Sequence, residues 1–260
     1  MKKFSSFLVV LLLMLASFTA GVEYQRGDVN QDGNVSISDV TCLIDYLLTD
    51  TWPDEPVTPP DDHEWVDLGL PSGTLWATCN VGANTPEEYG DYFAWGETEP
   101  KEDYSWETYK WCNGSNKTMT KYCTDSNYGY NGFVDNKTEL EPEDDPAYVN
   151  WGPSWRMPND NQLGELYSKC TWIWWTTSEG VIGQLVFGPN RASLFLPATG
   201  YRENTLLRNA GTEGIYWSSE LSDTNDLLVN FLHFFSVVYW GSETSRNMGL
   251  TVRPVRISQE

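Results

Sequence analysis

Asp28, Asn30, Asp32, Asn34, Ser36 and Asp39 fall within one short stretch, "GDVNQDGNVSISDV", and present side-chain oxygen at nearly every other position. Alternate side chains in a tight loop converge on one centre. A hard divalent cation such as calcium takes roughly six to eight oxygens there. Gly33 permits the sharp turn, Asn34 offers its backbone carbonyl, and Ser36 reaches the ion through water. Two further acidic groupings could do chemistry. Glu97 and Glu99 flank Thr98 in "WGETEP"; on an extended chain they point the same way, as a pair of glycoside-cleaving carboxylates would. The run "ELEPEDDPAY" holds Glu139, Glu141, Glu143, Asp144 and Asp145, which we read as a solvated acidic loop, with a second cation as the alternative. Zinc protease chemistry finds no support, because the chain has two histidines, His63 and His233, and no HExxH.

The elements that must hold these groups can be read around them. Behind the oxygen-rich loop, Val35 and Ile37 point into a small core. "SDVTCLIDYLL" continues as a helix with Val40, Leu43, Ile44 and Leu47 on one face. Residues 22–48 therefore form a compact loop-helix. Residues 1–21 read as a cleaved secretory signal: Lys2 and Lys3, then "FLVVLLLMLASF", then the small residues Thr19, Ala20 and Gly21. Residues 49–63, "TDTWPDEPVTPPDDH", are proline- and acid-rich and read as a semi-rigid linker. Residues 64–258 form one long aromatic-rich region.

Within that region "NDNQLGELYSKC" predicts a helix, with Asn159 as cap, Gln162 completing a capping box, and Leu163, Leu166 and Tyr167 on one face. "TLWATCNV", "DYFAWGE", "SLFLPA", "GIYWSS" and "LTVRPVRI" predict strands. In "LLVNFLHFF", Leu227, Val229, Phe231, His233 and Phe235 are placed on the core face, with Asn230 pointing out. Arg156 and Arg253, each inside an apolar motif, are assigned to fold support. The fold class is α+β: mostly β, with one or two helices and long loops, preceded by one calcium loop-helix.

Composition narrows the partners. The formal net charge is −21, from 37 acids against 16 Lys and Arg, which disfavours nucleic acid and anionic membranes. No apolar run after the signal is long enough to span a membrane. The chain holds 13 Trp and 14 Tyr, residue types that fill cores and also recur at recognition surfaces. Five cysteines leave one over, and any four allow three pairings among which sequence does not choose. We take Cys112 with Cys123, which closes a short local loop, and Cys79 with Cys170, leaving Cys42 as a small buried hydrophobe. Five buried thiols are the alternative.

The loop at residues 28–39 follows the EF-hand positions, with Asp39 at the twelfth, where a longer Glu is usual. Residues 26–48 resemble one repeat of a dockerin, the module that plugs secreted proteins into cohesin-bearing scaffolds. Dockerins normally carry two such repeats and one is found here. The first expectation is therefore a calcium-ordered module that stiffens the N-terminus or contacts another partner, with a cohesin-like partner second.

The large region carries "WVDLGLPSGTLWATCNVGANTPEEYGDYFAWGETEP", "YKWCNGSNKTMTKYCTD", "LEPEDDPAYVNWGPSWRMPN", "CTWIWWTT", "LFLPATGYR", "GIYWSS" and "GLTVRPV". It resembles the Fibrobacter succinogenes major paralogous (FISUMP) domain, which is similar to the C-type-lectin-like superfamily. That resemblance implies a C-type-lectin-like α+β domain, with its ends close together and a loop-rich ligand face near the C-terminus. It places ligand-binding residues at Tyr239, Trp240, Ser242, Glu243, Thr244, Ser245, Arg246 and Asn247. The superfamily's calcium-dependent sugar motifs, Glu-Pro-Asn or Gln-Pro-Asp with Trp-Asn-Asp, do not occur here.

The function these readings favour is a non-catalytic binding module, secreted or at the cell surface, that recognises glycan or protein. A structural subunit of a bacterial surface assembly is the second reading, and a glycan-active hydrolase the third.

Overall fold

The computed structural model describes residues 63–257, with backbone alone for residues 239–241 and 257. Chain contacts divide the protein into units at residues 1–61 and 62–260. The oxygen-rich loop, the helix expected after it, the stretch read as a secretory signal and the expected linker up to residue 62 lie outside the described residues.

The described unit is mostly β with few helices, as expected for its class. Strands run at Trp65–Asp67 (β1), Thr74–Ala77 (β2), Thr171–Thr176 (β3), Ile182–Phe187 (β4) and Ser193–Pro197 (β5). They continue at Tyr201–Glu203 (β6), Leu206–Arg208 (β7), Gly214–Leu221 (β8), Leu228–Phe234 (β9), Val238–Ser245 (β10) and Val255–Ile257 (β11). Helices occupy Pro146–Trp151 (α1) and Asp160–Lys169 (α2). The strands form antiparallel sheets ordered β1-β2-β11, β10-β9-β8 and β3-β4-β5, with β6 and β7 as a hairpin. β1 and β11 flank β2, so the two ends of the unit meet in one sheet.

Strands β8 and β9 are buried on both faces, and alternation explains how. Odd-numbered Ile215, Trp217, Val229 and Phe231 enter one apolar cluster with Phe93, Trp95, Tyr122 and Trp155. Even-numbered Tyr216, Leu232 and Phe234 enter a second, with Trp76, Leu163, Leu166, Val186 and Leu196. Each fully buried side chain of this size contributes about 2 kcal/mol by leaving water. The expected single core face of "LLVNFLHFF" is thus one of two. His233, expected in the core, leaves it at the sheet's end, where Nε2 meets Glu213 Oε2 at 2.8 Å. Phe235 is exposed.

α2 starts as its sequence predicts. Asn159 accepts from the Gln162 N–H at 2.9 Å, and Gln162 Oε1 accepts from the Asn159 N–H at 3.0 Å. Leu163 and Leu166 are buried, but Tyr167 is exposed; Gln162 takes the third buried place and donates to Thr74 Oγ1. "DYFAWGE" is no strand. It makes a single bridge, Phe93 to Leu250, and then turns at Gly96, whose φ of +77° suits glycine.

Candidate functional site

The stretch expected to form a ligand loop is instead the body of β10 and the residues beyond it. Ser242, Glu243, Thr244 and Ser245 stand opposite Phe231, Asn230, Val229 and Leu228 of β9. Glu243 is exposed, yet its carboxylate accepts from Ser222 Oγ at 2.7 Å and Thr224 Oγ1 at 2.9 Å. The Ser245 hydroxyl donates to Asn247 Oδ1, and the Thr244 hydroxyl to Met248 Sδ. The side chains of Tyr239 and Trp240 lie outside what the structure describes.

Arg246 and Asn247 are buried, which overturns their assignment to a ligand face. Arg246 donates through Nε to Tyr109 Oη, and through Nη1 and Nη2 to the carbonyls of Tyr122, Asp226 and Lys121. Its guanidinium also lies over the rings of Trp95, Tyr109 and Tyr122. Asn247 Nδ2 donates to the Tyr104 carbonyl at 2.8 Å. A polar string reads as a loop in sequence, but here long-range aromatic and carbonyl partners close over it.

Arg253 supports the fold as expected, donating to Asn80 Oδ1 and to the Ala77 and Thr78 carbonyls. Arg156 does so through its backbone, paired with Val255, while its side chain is exposed.

The acidic groupings resolve into different arrangements. Glu97 is buried and accepts from Lys101 Nζ and the Lys110 N–H, both at 2.8 Å; Glu99 is exposed. The turn at Gly96 puts the two in different surroundings. In the run 139–145, Asp144 accepts from Lys121 Nζ at 2.5 Å and Tyr122 Oη at 2.7 Å. Glu141 bridges Lys121 and Lys137, which holds its carboxyl below the usual range. Asp145 caps α1 and accepts from the backbone N–H groups of Ala147, Tyr148 and Met157. Lysines and backbone donors therefore satisfy most of this stretch. Among the described residues, no group of three or more His, Cys, Asp or Glu is placed to hold a metal ion.

A carboxylate pair that sequence reading missed lies between α2 and β8. Asp160 accepts from Ser218 Oγ at 2.5 Å and Asn230 Nδ2 at 2.6 Å, while its own N–H donates to Glu220 Oε2 at 3.1 Å. Burial first, then the charges of Asp160 and Glu139, push Glu220 up. The partners come from 58 and 70 residues away, so no local motif announces the pair.

Among the open recesses in the surface of the described residues, two stand out. One of about 410 Å³ is lined by Glu139, Asp145, Tyr148, Trp155 and Arg156, among others. The second, of about 320 Å³, lies between Asp91, Tyr92, Lys101, Tyr104 and Arg202. Burial pushes Asp145, in the first, up to about 6.

The expected cysteine pairings are not formed: Cys79, Cys112, Cys123 and Cys170 are free thiols. Each has its own surroundings. Cys112 Sγ donates to the Trp106 carbonyl and Cys123 Sγ to the Asp125 carbonyl. Cys79 lies beside Thr78 Oγ1, and Cys170 packs against the second apolar cluster. Cys42 lies outside the described residues.

Residues 26–64 match the family model described as Dockerin type I domain. The match takes in the oxygen-rich loop, the stretch expected to be helical after it, and the segment read as a linker. Dockerin type I domains bind calcium, which makes calcium the cofactor of this stretch. The donors Asp28, Asn30, Asp32, Asn34, Ser36 and Asp39 fit it, being carboxylate, amide, carbonyl and hydroxyl oxygen. No curated protein and no solved structure matches the chain. Among the described residues, no helix is long and apolar enough to cross a membrane.

Proposed function

We propose that this chain is a non-catalytic component of a secreted or cell-surface assembly, attached through its N-terminal calcium module. The observation that carries the reading is the match of residues 26–64 to the Dockerin type I family over the loop whose oxygens suit calcium. Calcium draws Asp28, Asn30, Asp32 and Asp39 together and offsets their mutual repulsion, so it orders the loop ahead of the helix that follows. Through that module the chain engages a cohesin-type protein. The β-rich unit is then the part presented, and its partner is a glycan or a surface protein. Its FISUMP-like motifs support a displayed binding unit. So does the engagement of Glu97, Asp144 and Asp145 with lysines, a tyrosine and backbone donors.

Calorimetry of the full chain against type I cohesins tests the reading. Binding is expected with calcium present, and its loss with a chelator or in Asp28→Ala. Calcium uptake without binding to any cohesin would remove the docking role and leave the calcium site standing. A glycan array run alongside separates a sugar ligand of the β-rich unit from a protein one.

A further inference from the structure

β3 is an end strand, paired to β4 along all six of its residues without a bulge. No hydrogen bond among the described residues reaches its open side. Its sequence, Thr-Trp-Ile-Trp-Trp-Thr, holds neither charge nor proline. Soluble proteins blunt open edges with short strands, charges, prolines or bulges. Other end strands here follow that practice. β5 ends on Pro197, β10 carries Glu243 and is bulged between Tyr239 and Ser242, and β1 and β11 are three residues long. The open side of β8 is bridged by Glu139 and Thr251.

The two faces of β3 differ. Trp172 and Trp174 pack inward on the second apolar cluster. Ile173 and Trp175 face outward and are 44% and 51% exposed. Leu185 and Phe187 of β4 and Phe195 of β5, all partly buried, share that outward face in register with them. The result is an apolar sheet face that runs to an open edge.

We propose that this edge is a self-association surface, on which two copies pair their β3 strands antiparallel about Trp174 into one six-stranded sheet. The occupant follows from register and charge. A two-fold axis normal to the sheet keeps outward residues on the same face, so residues of equal parity must face each other. Centring on Trp174 sets Ile173 against the partner's Trp175 and Thr171 against the partner's Thr177. The same register brings Lys169, exposed at the end of α2, toward the partner's Glu179, exposed in the turn after β3. Each end of the paired strands thus joins a cation to an anion. Each copy carries a formal charge of −21, so added salt relieves repulsion between copies and favours the pair.

Sedimentation velocity of the full chain, from low to high micromolar, is the test. A reversible monomer–dimer equilibrium is expected. Ile173→Lys and Trp175→Lys should each raise its dissociation constant about tenfold or more, since both sites are solvent-exposed and the charge is introduced at the shared edge. Lys169→Glu and Glu179→Lys should each weaken the dimer, and the double swap should restore it. Circular dichroism of every variant should match the parent. A monomer at all concentrations, as for an edge that takes a foreign strand, would overturn the proposal. So would a dimer indifferent to the β3 lysines, or charge swaps that add instead of compensating.

Discussion

Arg246 Nε donates to the phenol oxygen of Tyr109 at 2.8 Å, with both residues shut off from water. Tyr109 in turn donates to the Trp95 carbonyl at 2.7 Å, so the arginine is tied through it to the start of the Gly96 turn. Lysine cannot reproduce this arrangement. Its single ammonium cannot reach four separated acceptors, and its stem does not stack on three rings. Arg246→Lys should therefore cost about 3 kcal/mol of stability, read by urea unfolding, because buried carbonyls lose their donors. Calcium uptake by the N-terminal loop should be untouched. A stable Arg246→Lys protein that had lost only a ligand would return Arg246 to a binding face.

Asp145 supplies a pH dependence of unusual sign. Burial pushes its carboxyl from the usual 3.8 up to about 6, against the three backbone donors that favour the ionised form. The folded protein then holds an extra proton between those values. The stability contributed by this group is full below about pH 4 and is lost as pH rises through about 6. The shift corresponds to about 3 kcal/mol. Asp145→Asn carries no titrating group, so the stability of the parent relative to this variant should grow as pH falls from about 7 to about 4. Urea midpoints across that range measure it, and a flat difference would refute the assignment.

How far the sequence could be read depended on where each element's partners lie. α2 was legible because its cap, its box and its buried leucines sit within one short stretch. Strands β2, β5, β8, β9 and β11 were legible from apolar runs between turn residues. The faces of β9 were not, because Val229 and Leu232 point to opposite clusters and both are buried; alternation of polarity cannot mark a strand that is covered twice. Nothing in "CTWIWWTT" marks which tryptophans are covered: Trp172 and Trp174 pack inward, yet Trp175 is half exposed. Arg246 was illegible because its partners lie at least 124 residues away, apart from Asp226. The calcium loop needed no fold at all, since its spacing is its chemistry.

The free thiols make a direct prediction. Alkylation in denaturant without reductant, followed by peptide mass spectrometry, should find Cys79, Cys112, Cys123 and Cys170 all modified. In the folded protein Cys123 should react slowest, being fully buried with its thiol pushed up to about 11, chiefly by burial and then by Asp226. Cys170 is likewise pushed up to about 11 by burial and by Glu165. Few thiolates therefore exist near about pH 8, and labelling there should be far slower than for an exposed cysteine. Recovery of a peptide joined at Cys112 and Cys123 would contradict the structure.

Gly214 faces Phe234 across β8 and β9, and the phenyl ring fills the place where a side chain at 214 would begin. A Cβ built on Gly214 meets Phe234 Cζ at 2.1 Å, a contact that cannot stand without moving the ring. That ring is fully buried, stacks on Tyr216 with centroids 5.8 Å apart, and tilts against Trp172, so there is little room for it to retreat. Gly214→Ala should accordingly cost about 2 kcal/mol by overpacking, although replacing glycine within a strand would on its own favour folding by up to about 1 kcal/mol. Phe234→Leu alone should also destabilise, by leaving a void in the second cluster. The two together should cost less than their sum, because the smaller side chain makes space for the new methyl. A double-mutant cycle in urea measures this. Strict additivity would mean that the ring and the glycine do not share one space, and that the close fit between β8 and β9 has another cause.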